Sequence, residues 1–147
     1  MIRCVNIIGA GNVGLHIGRK LSGLGPISLK IYTRRDDFSG FPEDIRSFLT
    51  NDTGIFSNKN DLTIIAVNDD NIPAVAKDIK DQGQIVVHTS GSTAMDVLAK
   101  FTHYGVFYPL QTFTKGRKLD YRNIPVCIEA RHEKSTLKLK QLAGQFS

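Results

Sequence analysis

Val5-Asn6-Ile7-Ile8-Gly9-Ala10-Gly11-Asn12-Val13-Gly14-Leu15-His16-Ile17-Gly18 decides the fold. It reads as an apolar strand, a glycine turn and the first turns of a helix. Gly9, Gly11 and Gly14 form G-x-G-x-x-G between the run Ile2–Ile8 and a helical stripe of Val13, Ile17 and Leu21. That is the strand-turn-helix setting in which the motif binds a dinucleotide. Gly9 suits the dihedrals of a tight turn, and Gly11 leaves room for a pyrophosphate to approach the backbone. Gly14 allows close packing of helix on strand, which Gly18 extends one turn later. Gly9, Gly11, Asn12, Val13 and Gly14 are thus expected to hold the pyrophosphate, helped by the unpaired N–H groups and dipole of the helix start.

Gly23-Leu24-Gly25-Pro26 stops this helix, and Ile27–Tyr32 follows as a second strand. It runs into Thr33-Arg34-Arg35, where a carboxylate would take the adenosine ribose hydroxyls of NAD. Two guanidiniums there suit a ribose 2′-phosphate, so NADP is expected over NAD. Asp36 and Asp37 come slightly later and fall in the following loop.

Farther along, Ile45, Phe48 and Leu49 mark a short helix or turn, and Gly54–Ser57 a short third strand. Asp61–Val67 and Ile85–His88 are nearly continuous apolar runs, as in strands buried on both faces of a parallel sheet. Asp69 or Asp70 is placed to cap a helix beginning near Pro73, with Ala74, Val75 and Ile79 apolar. Val67, Asn68 and Ser90 lie just past strand carboxyl ends, where open α/β sheets bind ligands, and are expected to line the nicotinamide side. Thr93 and Asp96 resemble a capping box for a helix carrying Met95, Val97, Leu98 and Phe101. Val106–Phe113 is strand-like up to Pro109, and Ile124–Glu129 reads as one more strand. Leu139, Leu142, Ala143 and Phe146 form a last helical stripe with no further strand to receive it. The chain therefore predicts an α/β doubly wound, mostly parallel sheet with helices on both faces.

The sequence has 147 residues, 41% hydrophobic and 22% charged, which suits one soluble domain with a real core. No run approaches the roughly 18 apolar residues of a membrane span, and no secretory leader pattern is seen, so a cytoplasmic location is the default. Cys4 and Cys127 sit in apolar runs without a C-x-x-C and read as buried free thiols. His16, His88, His103 and His132 have no metal-ligand spacing, so no metal site is expected. Net charge is +5, with the excess partly after Thr114, where Lys134 and Lys138 are among eight basic residues facing Asp120, Glu129 and Glu133. No basic run is interleaved with stacking aromatics, so neither nucleic acid nor membrane is an expected partner, and a small-molecule substrate is.

Ile7–Gly14, Ile65-Ala66-Val67-Asn68-Asp69-Asp70-Asn71-Ile72, Val86–Ser92 and Phe107-Tyr108-Pro109-Leu110-Gln111-Thr112-Phe113 together resemble a bacterial family of Rossmann-like NADP oxidoreductases. That family is similar to pyrroline-5-carboxylate reductase, prephenate dehydrogenase and the deazaflavin-dependent NADP oxidoreductases. The resemblance spans nearly all of the chain. It implies hydride transfer between NADP and a small molecule, with Tyr108 and Gln111 facing substrate. Ser90, Tyr108 and Gln111 are the candidates for catalysis. Tyr108 stands where family members carry histidine, and Asn68 where they often carry proline, so no acid/base role transfers to Tyr108. The resemblance also implies a helical C-terminal domain that forms a homodimer and completes the substrate pocket. Residues 1–147 cover only the dinucleotide-binding domain, which on this reading binds cofactor and turns over substrate poorly. A non-catalytic module that senses NADP is the rival expectation.

Overall fold

The computed structural model describes residues 1–110 and 125–145. Seven strands form one sheet: β1 (Cys4–Ile8), β2 (Ser28–Tyr32), β3 (Leu49–Thr50), β4 (Leu62–Ile65), β5 (Ile85–His88), β6 (His103–Pro109) and β7 (Val126–Ala130). Their order is β3-β2-β1-β4-β5-β6-β7. All neighbours run parallel except β7, which is antiparallel to β6. The chain thus leaves β1 in one direction for β2 and β3 and returns to its other side at β4, as in doubly wound dinucleotide-binding folds.

Residue alternation explains the layers. Val5, Ile7, Leu62, Ile64, Ile85 and Val87 point to one face, where α1 (Asn12–Ser22) and α3 (Glu133–Gly144) add Ile17, Leu21, Leu139 and Leu142. Ile8, Ile65 and Val86 point to the other, where α2 (Ile72–Asp78) and the residue after it supply Ile72, Ala76 and Ile79. With both faces covered, β1, β4 and β5 need apolar residues at nearly every position. Buried Asn6 is tolerated because its amide donates to Asn58 Oδ1 at 2.7 Å.

Five expectations are corrected. The third strand is Leu49–Thr50, paired with Ile31 and Tyr32, whereas Thr53–Phe56 is a 3-10 turn that buries Ile55. Neither Asp69 nor Asp70 caps α2, which starts without a side-chain cap hydrogen bond and carries Pro73 in its first turn. Met95–Leu98 is a 3-10 turn whose N-cap is Ala94, so Thr93 and Asp96 form no capping box. Cys127 lies on the exposed side of β7, and Leu139, Leu142 and Ala143 of α3 pack into the core as that helix lies on β7 and β6, while Phe146 lies outside the described residues.

Candidate nucleotide-binding crevice

The glycine turn follows β1 directly. Gly9 has φ +117°, a conformation that disfavours any side chain, and a Cβ there would also overlap the Ala66 carbonyl. Its N–H donates to the Tyr32 carbonyl at 3.1 Å, which fixes the turn against the end of β2. A Cβ on Gly14 would run into the carbonyl of Gly9, so α1 sits as close to β1 as backbone allows. Gly18 faces β2, where a Cβ would press on Ile31. Gly11 differs from all three, because beyond its own chain neighbours no atom lies within 4 Å of where its Cβ would stand.

Gly11 is the N-cap of α1 with extended backbone, no side chain caps the helix, and its first turn has no acidic residue. The positive end of the helix is thereby left for an outside anion. Cavities open on either side of it. The one toward β2, about 760 Å³, is lined by Gly9, Tyr32, Thr33, Arg34, Phe56, Val75 and Asp78, among others. The other, about 850 Å³, is lined by Gly11, Asn12, Val13, Val67, Asn68 and Thr89, among others. Gly9, Val67 and Asn71 border both, so the two form one crevice. It lies outside the carboxyl ends of β1 and β4, where the strand order reverses and open α/β sheets take their ligands.

The three residues after β2 separate. Thr33 and Arg34 line the first cavity. Arg35 is not among its lining residues, and its guanidinium lies over the Phe41 ring, 5.3 Å from the centroid. The two carboxylates that follow have other partners. Asp36 accepts from Asn51 at 3.3 Å, and Asp37 accepts the Ser39 N–H at 2.9 Å, a bond that holds the Asp37 carboxyl below its ordinary pKa. The carboxylate that does reach this cavity is Asp78, at the end of α2. Sequence reasoning missed it, together with Phe56 and Val75, because they come from segments remote from the glycine turn.

On the other side, His88 at the end of β5 is fully buried. Its Nδ1 accepts the Ser90 N–H at 3.1 Å, which leaves Nε2–H to donate to the Ala94 carbonyl at 3.3 Å. Burial pushes the imidazole below its ordinary pKa against the opposing pull of Ala94, Asp69, Thr93 and Glu129. Ser90 is buried too, and its hydroxyl accepts from the N–H groups of Ser92 and Thr93 and donates to Thr93 Oγ1 at 3.0 Å. Ser90 thus builds the loop, and Thr89 is the residue of that loop on the crevice. Ser92 Oγ donates to Asp69 at 2.9 Å, which joins the loops after β4 and β5. Tyr108 is half-buried with its ring against the Gly91 backbone, where a Cβ would overlap it. Gln111 lies outside the described residues. Among those described, no His, Cys, Asp or Glu group is arranged to hold a metal ion.

A family model for the Rossmann-like domain matches residues 2–113. The chain belongs to the Rossmann-like domain family. Solved structures share the fold over nearly all of this chain. A provisionally named NADP oxidoreductase from Bacteroides fragilis is 28% identical with a TM-score of 0.78, covering 99% of this chain and 58% of its own. The 1-pyrroline-5-carboxylate reductase of Streptococcus pyogenes is 15% identical with a TM-score of 0.73, covering 98% of this chain and 56% of its own. Prephenate dehydrogenase from A. aeolicus, solved with hydroxyphenyl propionate and NAD+, is 15% identical with a TM-score of 0.71, over 99% of this chain and 56% of its own. At 15% identity the likeness is one of fold. This chain spans little more than half the length of these relatives. No curated protein matches the sequence. Among the described residues, no helix is long and apolar enough to cross a membrane.

Proposed function

We propose that the chain is the nucleotide-binding part of an NADP-dependent oxidoreductase acting on a small molecule. The observation that carries this reading is the cavity at the end of β2, which receives Thr33 and Arg34 while Asp36 and Asp37 bond elsewhere. A guanidinium at the end of β2 favours a 2′-phosphate where a carboxylate in that place would take the ribose hydroxyls, and the one carboxylate on this cavity, Asp78, comes from the end of α2 instead. The open space over Gly11 and the uncapped start of α1 fit a pyrophosphate.

Gly9, Gly11, Asn12, Val13 and Gly14 hold the pyrophosphate in this reading, with Thr33 and Arg34 at the ribose phosphate. Arg35 serves there only by leaving Phe41. Val67, Asn68 and Thr89 wall the nicotinamide side, with Ser90 behind them as the residue that shapes the loop. The bound nicotinamide supplies hydride chemistry, and the chain orients it and keeps water from one face. The substrate and the dimer contacts belong to the fuller protein in this proposal, in the cytoplasm. A sensor that binds NADP without turnover is favoured by one observation: the Ser90 hydroxyl is committed within its own loop.

Parallel titrations of NADPH and NADH into the wild type and Arg34→Ala test the cofactor. One lost charge-assisted hydrogen bond, about 1.5–3 kcal/mol, should weaken NADPH by roughly 10- to 100-fold and leave NADH nearly unchanged. Equal affinities in the wild type would exclude an NADP preference.

A further inference from the structure

The parallel strands have a second end, and it also carries a cavity. This one, about 740 Å³, lies at the amino ends of β1, β5 and β6, remote from the glycine turn. Its lining includes Lys59, Lys134, Lys138, His103 and a single carboxylate, Asp61. The charges do not cancel locally. Asp61 Oδ2 accepts the N–H groups of Arg3 and Cys4 at 3.0 and 2.9 Å. Asp81, whose carboxyl feels the His103 imidazole, is bound to Thr102 and to the Gly83 N–H. None of the three lysines has a carboxylate partner among the described residues.

Lys134 and Lys138 stand one turn apart on α3, and like charges at this spacing destabilise a helix. Lys59, from the segment before β4, lines the same cavity as a third lysine. Solvated lysines on a convex face need no explanation. Three from two separate segments around one cavity, with its one carboxylate already engaged, form a cradle for a compact anion. The two helical lysines come from the basic excess after Thr114, which the nucleotide crevice does not use.

We propose that this cavity is a second anion site, which binds a small molecule carrying two phosphate groups. Concavity favours a compact ligand over an extended nucleic-acid backbone, and three ammonium groups suit more than one phosphate. The site does not rest on the NADP reading, since it shares no lining residue with the crevice.

Inorganic pyrophosphate is the probe. It would be titrated at about 0.15 M ionic strength into the isotopically labelled protein, followed by amide NMR shifts. Saturable shifts are expected around Asn60, His103 and Ser135. Lys134→Gln combined with Lys138→Gln should weaken binding about tenfold or more, with an unchanged or slightly raised melting temperature, since the pair repels along α3. A control pair on other elements, Lys30→Gln with Lys77→Gln, should bind as the wild type does. Equal weakening by both pairs would mean diffuse charge attraction and overturn the proposal. So would shifts confined to Gly9–Gly14, no saturation, or tighter binding of duplex DNA to the same surface.

Discussion

Gly14 stands so close to Gly9 that any side chain on it would meet the Gly9 carbonyl oxygen. The contact is between backbones, so it cannot be relieved by a rotamer change. Gly14→Ala must push α1 away from β1 or strain the turn. Such overpacking should cost about 2–3 kcal/mol and lower the melting temperature by roughly 5–10 °C in thermal denaturation. An unchanged melting temperature would show that α1 is not seated as described.

His88 makes stability depend on pH. Its folded pKa lies below the unfolded value of about 6.5, so in that window the unfolded chain binds the proton more readily. The contribution is fully present above about pH 6.5 and is lost as pH falls toward the folded pKa. Protonation would also remove the Nδ1 acceptor of the Ser90 N–H. Urea denaturation at intervals from about pH 7.5 to 5 should show this loss, and His88→Asn should be less stable overall but flatter over that range. The lowered carboxyl pKa values of Asp37 and Asp81 act only at more acid pH.

Ser90 and Ser92 sit two residues apart, yet their substitutions should differ. Ser90→Ala removes the buried hydroxyl that accepts, in part-buried hydrogen bonds, the N–H groups of Ser92 and Thr93, at a cost of about 1–2 kcal/mol. Ser92→Ala removes an exposed link to Asp69 and should cost less than about 1 kcal/mol. Hydrogen exchange at Thr93 should speed up strongly in Ser90→Ala and modestly in Ser92→Ala.

Much of the architecture was legible because strands buried on both faces are apolar at nearly every position, as Leu62–Ile65 and Ile85–His88 are but for Thr63 and His88. The third strand was not, because two edge residues are too short to show a period, while buried Ile55 imitates strand alternation from a 3-10 turn. Thr93 and Asp96 have capping-box spacing, but the loop hydrogen bonds of Ser90 occupy the Thr93 N–H and hydroxyl. The glycine turn was readable because its chemistry is local. The wall of the cavity beside β2 was not, since Phe56, Val75 and Asp78 come from segments well separated from Arg34 in sequence and share a cavity with it only in the folded chain.

The thiols offer a check on β7. Cys127 alternates with inward-facing Val126 and Ile128 and is exposed, whereas Cys4 is partly buried at the start of β1. Titration of the native protein with a thiol reagent should show one fast and one slow equivalent, the fast one absent in Cys127→Ser. Two fast equivalents would contradict the placement of Cys4.

Gly11→Ala tests the crevice most directly. Gly11 has φ −81° and open space where a Cβ would stand, so alanine fits the folded chain without strain and slightly restricts the unfolded one. The same methyl would occupy the approach of a pyrophosphate to the start of α1. Isothermal titration of NADPH into Gly11→Ala should therefore show affinity lowered at least about tenfold, in a protein with an unchanged or slightly raised melting temperature. NADPH bound as tightly as by the wild type would contradict the account.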